Sequence, residues 1–184
     1  ELPAEDAARM RELLATAVAA QPHDVNLRFA MAQVLAATGQ NAAAQTARDE
    51  LVRSLPPTPQ NLQRAAELSL LLNDSPTAVR LAERAVSVAQ VEPEVAPAVL
   101  QQAALTLAHA LLADKQTAPA MELYFKLALP QWQPTDRATA LIDLQNRLRA
   151  QGQSTQAEAI EQRLRALDLT DEEMNEARAN AAAL

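Results

Sequence analysis

Cysteine is absent from this sequence. That excludes disulfides, thiolate nucleophiles and thiolate metal sites, and leaves the compartment open between cytosol and periplasm. Glycine occurs only as Gly39 and Gly152, each alone, so there is no glycine-rich loop to cradle a phosphate. Aromatics are reduced to Phe29, Tyr124, Phe125 and Trp132, while alanine, leucine, glutamine and arginine abound. This balance starves strands and favours helices. Lysine is nearly missing, with only Lys115 and Lys126 among 16 basic residues, and 23 acidic residues set the net charge at −7. Nucleic-acid affinity rests on clustered basic side chains, so no nucleic-acid partner is expected. No apolar run approaches the ~18 residues of a membrane span, and no membrane insertion by this segment is expected. No signal peptide is present either. Because the sequence opens on Glu1 rather than methionine, that absence says nothing about the full gene product. High alanine and arginine point, by association only, to a GC-rich bacterial genome.

What is present is helical periodicity, clearest over residues 25–58. Leu27, Met31, Val34 and Leu35 recur at helical spacing before the break Thr38-Gly39-Gln40-Asn41. Ala44, Ala47, Leu51, Val52 and Leu55 do so after it, and Pro56-Pro57 ends the second helix. Two helices with one apolar stripe each cannot enclose a core, so such a hairpin must cover its remaining apolar surface with a similar neighbour.

The rest of the chain supplies those neighbours. A shift of 34 places Met31 on Ala65, Ala32 on Ala66, Ala44 on Ala78 and Leu51 on Ala85, which defines a second hairpin over residues 59–92. Its break is Asn73-Asp74-Ser75-Pro76, with Ser75 expected to cap the next helix and Pro76 to open it. A third hairpin, residues 93–134, is offset by 42 and carries Leu100, Ala103, Ala104, Leu107, Ala108 and Leu111, then Ala120, Leu123, Tyr124, Leu127 and Ala128. Pro119 falls in the first turn of its second helix, and Pro130 ends it. A fourth, residues 135–169, carries Leu141, Leu144 and Leu148 before Gln151-Gly152-Gln153, and Ala157, Ile160, Leu164 and Leu167 after it. Residues 1–21, with Pro3 in the first turn, form an N-terminal helix that is either a cap or half of a repeat. Residues 170–184 form a C-terminal capping helix with Met174, Ala177, Ala181 and Leu184 on one face. Capping boxes are expected at Thr155–Glu158 and Thr170–Glu173. None of the 11 prolines falls inside a proposed helix beyond its first turn.

Over residues 22–169 this pattern resembles the tetratricopeptide (TPR) repeat family of helical hairpins, whose unit has about 34 residues. Met31-Ala32, Leu35, Gly39, Ala44 and Pro56 carry the likeness in the first copy, and Leu62, Ala65-Ala66, Ala78 and Ala85 in the second. Leu107-Ala108, Leu111, Ala120 and Tyr124 carry it in the third, and Leu144, Leu148, Gly152 and Ala157 in the fourth. The departures are Arg28 at the first motif position, Gln145 in place of a small residue, few aromatics and an out-of-phase third copy. The resemblance implies an all-α, right-handed α-solenoid of about four helix-turn-helix repeats with a flanking helix at each end.

It also implies that first helices line a concave face that holds a peptide or a partner protein. By register that face presents Asn26, Phe29 and Gln33, then Gln63, Arg64 and Glu67, then Gln102, Leu105, Thr106 and His109, then Ile142, Asp143, Asn146 and Arg149. Phe29 and Ala30 stand where some members clamp a C-terminal carboxylate with Lys and Asn, so a chaperone-tail clamp is not expected. His23 and His109 lie more than two repeats apart without a nucleophile beside them, and neither catalysis nor a metal pair is expected of them. Asp171-Glu172-Glu173 reads as a helix-start signal rather than a cation site. Met10, Met31, Met121 and Met174 read as core filler, and Trp132 as packing beneath a loop or a binding anchor. The expectation is a non-enzymatic scaffold without cofactor or metal, within a bacterial assembly, secretion or envelope system, with a lean to the periplasm. The alternative is a structural spacer or self-associating segment of a larger protein.

Overall fold

The structure, a computed structural model, describes residues 4–92, 96–127 and 132–183. Pro3, Pro93, Glu94, Val95, Ala128, Pro130, Gln131 and Leu184, which the sequence places at helix ends, in a connection or on an apolar stripe, lie outside them. Among the described residues every regular element is a helix: α1 (Ala4–Ala20), α2 (Val25–Ala37), α3 (Asn41–Ser54), α4 (Pro59–Leu71), α5 (Ser75–Val91), α6 (Pro97–Ala113), α7 (Thr117–Leu127), α8 (Pro134–Ala150), α9 (Ser154–Arg165) and α10 (Asp171–Ala182). Pro59, Pro76, Pro97, Pro119 and Pro134 all sit in first turns, where a missing amide proton costs no helical hydrogen bond.

Among the described residues five connections turn through a residue with left-handed backbone: Gly39 (φ 75°), Asn73 (φ 56°), Lys115 (φ 62°), Gly152 (φ 73°) and Asp168 (φ 50°). After α2, the amide of Gly39 reaches Ala36 O at 3.1 Å and that of Gln40 reaches Leu35 O at 2.9 Å. Asn73–Asp74 and Gly152–Gln153 repeat this pattern after α4 and α8, so the last carbonyls of each first helix are satisfied by the turn itself. A side chain in this conformation costs roughly 1–2 kcal/mol. Glycine avoids the strain, and asparagine tolerates it best among the other residues.

The helix starts mostly follow local chemistry. The Asp24 carboxylate accepts from the amides of Asn26 and Leu27, and Thr58 Oγ1 accepts from that of Asn61. The reciprocal box of Thr170 and Glu173 forms at the start of α10. Two caps differ from expectation. Asp74, not Ser75, caps α5, and the Ser75 hydroxyl instead lies 3.0 Å from Asp114 Oδ1. The Thr155–Glu158 box does not form, because α9 already begins at Ser154 and Thr155 is inside its first turn.

The chain divides into two compact units, Glu1–Asp114 and Lys115–Leu184. In the first, α2 packs on α1, α3 and α4, and α4 packs on α3, α5 and α6, so that α2, α4 and α6 are successive neighbours. Small residues make this approach possible: Ala32, Ala66, Ala78, Ala82, Ala85 and Ala108 have no exposed surface. Ala66→Leu and Ala108→Leu should therefore overpack these junctions, each costing about 1–3 kcal/mol in urea denaturation. A variant that unfolds like the parent would place its residue away from the contact.

In the second unit α8 is central and packs against α7, α9 and α10. Its core includes Tyr124, Leu144, Leu148 and Ile160. Gln145, which departs from the small residue of the TPR pattern, is buried, and its Nε2 donates to Ala157 O at 3.2 Å. The longer side chain is tolerated because its amide has a backbone partner on α9.

One kind of polar tie occurs in each unit. Arg48, nine residues after Gly39, is 6 % exposed and crosses from α3 to donate to Ser69 Oγ (3.2 Å) and Asp74 Oδ2 (2.8 Å). Burial raises the Asp74 carboxyl, but hydrogen bonds from Arg48 and Thr77, with the Arg48 charge, hold it below its ordinary value. Tyr124, nine residues after Lys115, is fully buried on α7, and its hydroxyl donates to Asp143 Oδ2 on α8. Arg147 Nε donates to the other Asp143 oxygen at 2.8 Å. Desolvation first, and the Asp143 charge second, push the Tyr124 phenol far above its ordinary value, so it remains a donor.

Candidate functional site

Helical spacing puts residues i, i+3, i+4 and i+7 on one side of a helix, and in the first unit this side of α2, α4 and α6 carries two hydrogen-bonded sets of polar groups. Arg64 Nη1 on α4 donates to Asn26 Oδ1 on α2 at 2.7 Å. The same guanidinium stands 5.7 Å from the centre of the Phe29 ring. Along α4, Gln63 Nε2 donates to Glu67 Oε1 at 2.8 Å. That carboxylate lies 3.4 Å from the Thr106 hydroxyl of α6, which also reaches Gln102 O. Asn26, Gln33, Arg64 and Gln102 are exposed, and Gln63, Glu67 and His109 half-buried.

Phe29, Leu105 and Thr106 are different. Each is buried, Phe29 to 4 % exposure, so they support this surface from below rather than presenting side chains on it. The register argument is corrected there. A first helix flanked by neighbours on two sides has only a narrow open arc, and residues one step off its centre are covered.

In the second unit α8, α9 and α10 enclose a cleft of about 420 Å³. Ile142, Gln145, Asn146 and Arg149 line it from α8, Glu161, Leu164 and Arg165 from α9, and Met174 and Arg178 from α10. Three expected groove residues, Ile142, Asn146 and Arg149, meet here, although Ile142 is itself largely covered. Asp143 does not join them, because its carboxylate is buried against Tyr124 and Arg147. Met174 borders this cleft instead of filling a core, and Arg178, one helical turn further along α10, lines it beside Met174. The periodicity of α10 puts Arg178 on the same side as Met174, four residues before it, but nothing in the sequence shows which surface lies across from that side.

The cleft's electrostatics follow from four charges. Glu161 accepts from Arg165 Nη2 at 2.6 Å and lies 3.4 Å from Arg149 Nη2. Arg178 has no ion-pair partner among the described residues. Three guanidiniums against one carboxylate leave this site cationic within a chain of net charge −7.

His23 is exposed in the turn before α2, and His109 is half-buried on α6. Among the described residues no group of three or more His, Asp or Glu side chains is placed to hold a metal ion, and no helix is long and apolar enough to cross a membrane. Trp132 is half-buried just before α8. What both surfaces offer is amides, charges and apolar contact area. Comparison with protein-family models and with curated proteins finds no match for this chain.

Proposed function

We propose that this chain is a non-enzymatic interaction scaffold of the TPR-like kind, a right-handed solenoid of about four helical hairpins with a flanking helix at each end. It holds a peptide or partner protein on the concave face that its first helices line. The observation that carries this reading is the set of exposed amides and charges on α2, α4 and α6, Asn26, Gln33, Arg64 and Gln102, which lie over a closely packed alanine-rich interior. Side chains of this kind supply specificity without supporting stability.

The test separates binding from folding. Arg64→Glu should change stability by no more than about 1 kcal/mol, since an exposed hydrogen bond and one cation–π contact are all it loses. A partner recovered from a lysate on the immobilised chain should nevertheless lose roughly tenfold in affinity for this variant, or for Arg149→Glu in the second unit. If that partner binds both variants as tightly as the parent, the first helices are not the recognition surface.

Self-association is the second reading, and one observation favours it. Met10 and Leu13, three residues apart on α1, are exposed, Leu13 to 64 %. An apolar pair on one side of a flanking helix is suited to meeting a second copy. Light scattering over a concentration series distinguishes a monomeric scaffold from a self-associating spacer.

A further inference from the structure

We propose that the cleft between α8, α9 and α10 receives an acidic peptide segment, with an apolar side chain seated inside and flanking carboxylates on its arginines. This deepens the scaffold reading and rests on it. The argument begins with charge complementarity. A chain of net charge −7 concentrates Arg149, Arg165 and Arg178 around one cleft and sets only Glu161 among them. Arginine is the side chain best shaped to take a carboxylate through two parallel hydrogen bonds. Arg178 is free of ion pairs among the described residues, and Arg149 holds Glu161 only at 3.4 Å, so two of the three can turn to an incoming anion with little lost.

The apolar lining decides what kind of anion fits. Leu164 and Met174 border the same space as the arginines, and an inorganic ion would leave that surface unused. At about 420 Å³ the cleft has the size of a ligand-binding pocket, roughly 300–1,000 Å³ in general. A nucleic acid would meet the repulsion of the remaining acidic surface. A peptide presenting a Leu-sized side chain between Asp or Glu residues satisfies both halves of the site. Glu161 then acts as an internal competitor, occupying Arg165 and part of Arg149 until the ligand's carboxylate replaces it.

The experiment uses the whole chain and a fluorescent, end-capped peptide in which Leu-Leu is flanked on each side by two Glu residues, read by anisotropy. Capping removes the terminal carboxylate, so only side-chain acids are tested. The peptide should bind, its Gln-flanked counterpart should bind at least roughly fivefold more weakly, and added salt should erode the difference. Arg178→Glu should weaken binding by roughly tenfold, and Glu161→Gln should strengthen it severalfold by freeing two arginines. The gain from Glu161→Gln cannot come from a misfolded protein. Equal affinity for the two peptides, or indifference to both substitutions, would overturn the proposal. So would binding of inorganic phosphate that depends on Arg178 while the peptide does not bind. A lysate partner that still depends on Arg64 when the acidic peptide fails to bind removes only this inference and leaves the scaffold reading standing.

Discussion

Asp143→Ala should destabilise the chain by about 3 kcal/mol, an effect larger than any surface substitution can produce. Asp143 is only 4 % exposed, and its two oxygens take the Tyr124 hydroxyl and the Arg147 guanidinium. Arg147 is a third exposed along its side chain and can turn to water, but Tyr124 has no exposed surface. The cost therefore falls on the phenol, which loses a charged acceptor in a place water does not reach. Tyr124→Phe removes the same hydrogen bond from the other side. In that background Asp143→Ala should cost less, by about 1–2 kcal/mol, as coupled residues do in a double-mutant cycle. Urea denaturation of the four proteins measures both quantities. Additive losses would mean that α7 and α8 are not tied through this pair.

Phe29→Ala should cost about 3 kcal/mol or more by the same measurement, because it deletes a large side chain that is 4 % exposed. Phe29 borders one small space together with Leu51, Leu62 and the Pro56–Pro57 connection, so the vacated volume would be bounded by three different segments and could not close by moving one. Arg64→Glu, one turn of the partner helix away, is the control. The two residues are in contact across α2 and α4, yet one is beneath the surface and the other on it. If Phe29→Ala leaves stability unchanged while lowering partner affinity, the aromatic ring belongs to the recognition surface after all. Stability loss with affinity unchanged at a temperature where the variant remains folded assigns it to the core.

These two residues show where the sequence was legible and where it was not. Phe29 and Asp143 belong to the expected recognition face by helical register, and register alone cannot tell a residue at the centre of an open arc from one at its edge. Asp143 carries a further ambiguity, since a carboxylate on a helix is far more often solvated than buried. Its burial needs Tyr124 on another helix to accept its company. Arg48 escaped attention for the same reason. An arginine among Asp49, Glu50 and Arg53 looks like part of a solvated face, and only its distance to Ser69 and Asp74 shows otherwise. The helix-start signals were more reliable where one side chain could act alone, as at Thr170, than where two adjacent candidates competed, as at Asp74 and Ser75.

The sequence by itself determined that this chain is helical, where most of its helices start and stop, and which stripe of each must be covered. Those properties are local, set by helical periodicity, by proline's missing amide proton and by the backbone that Gly39 and Gly152 permit. Tertiary structure alone decided which polar residues are buried, through Arg48 and Tyr124 reaching across to the next helix, and which are left exposed. It also brought Arg149, Arg165 and Arg178 to one cleft from three helices. No periodicity within a helix encodes that meeting, because it depends on the angle and depth at which α9 and α10 pack against α8, and those are set by the sum of many small contacts along their shared core.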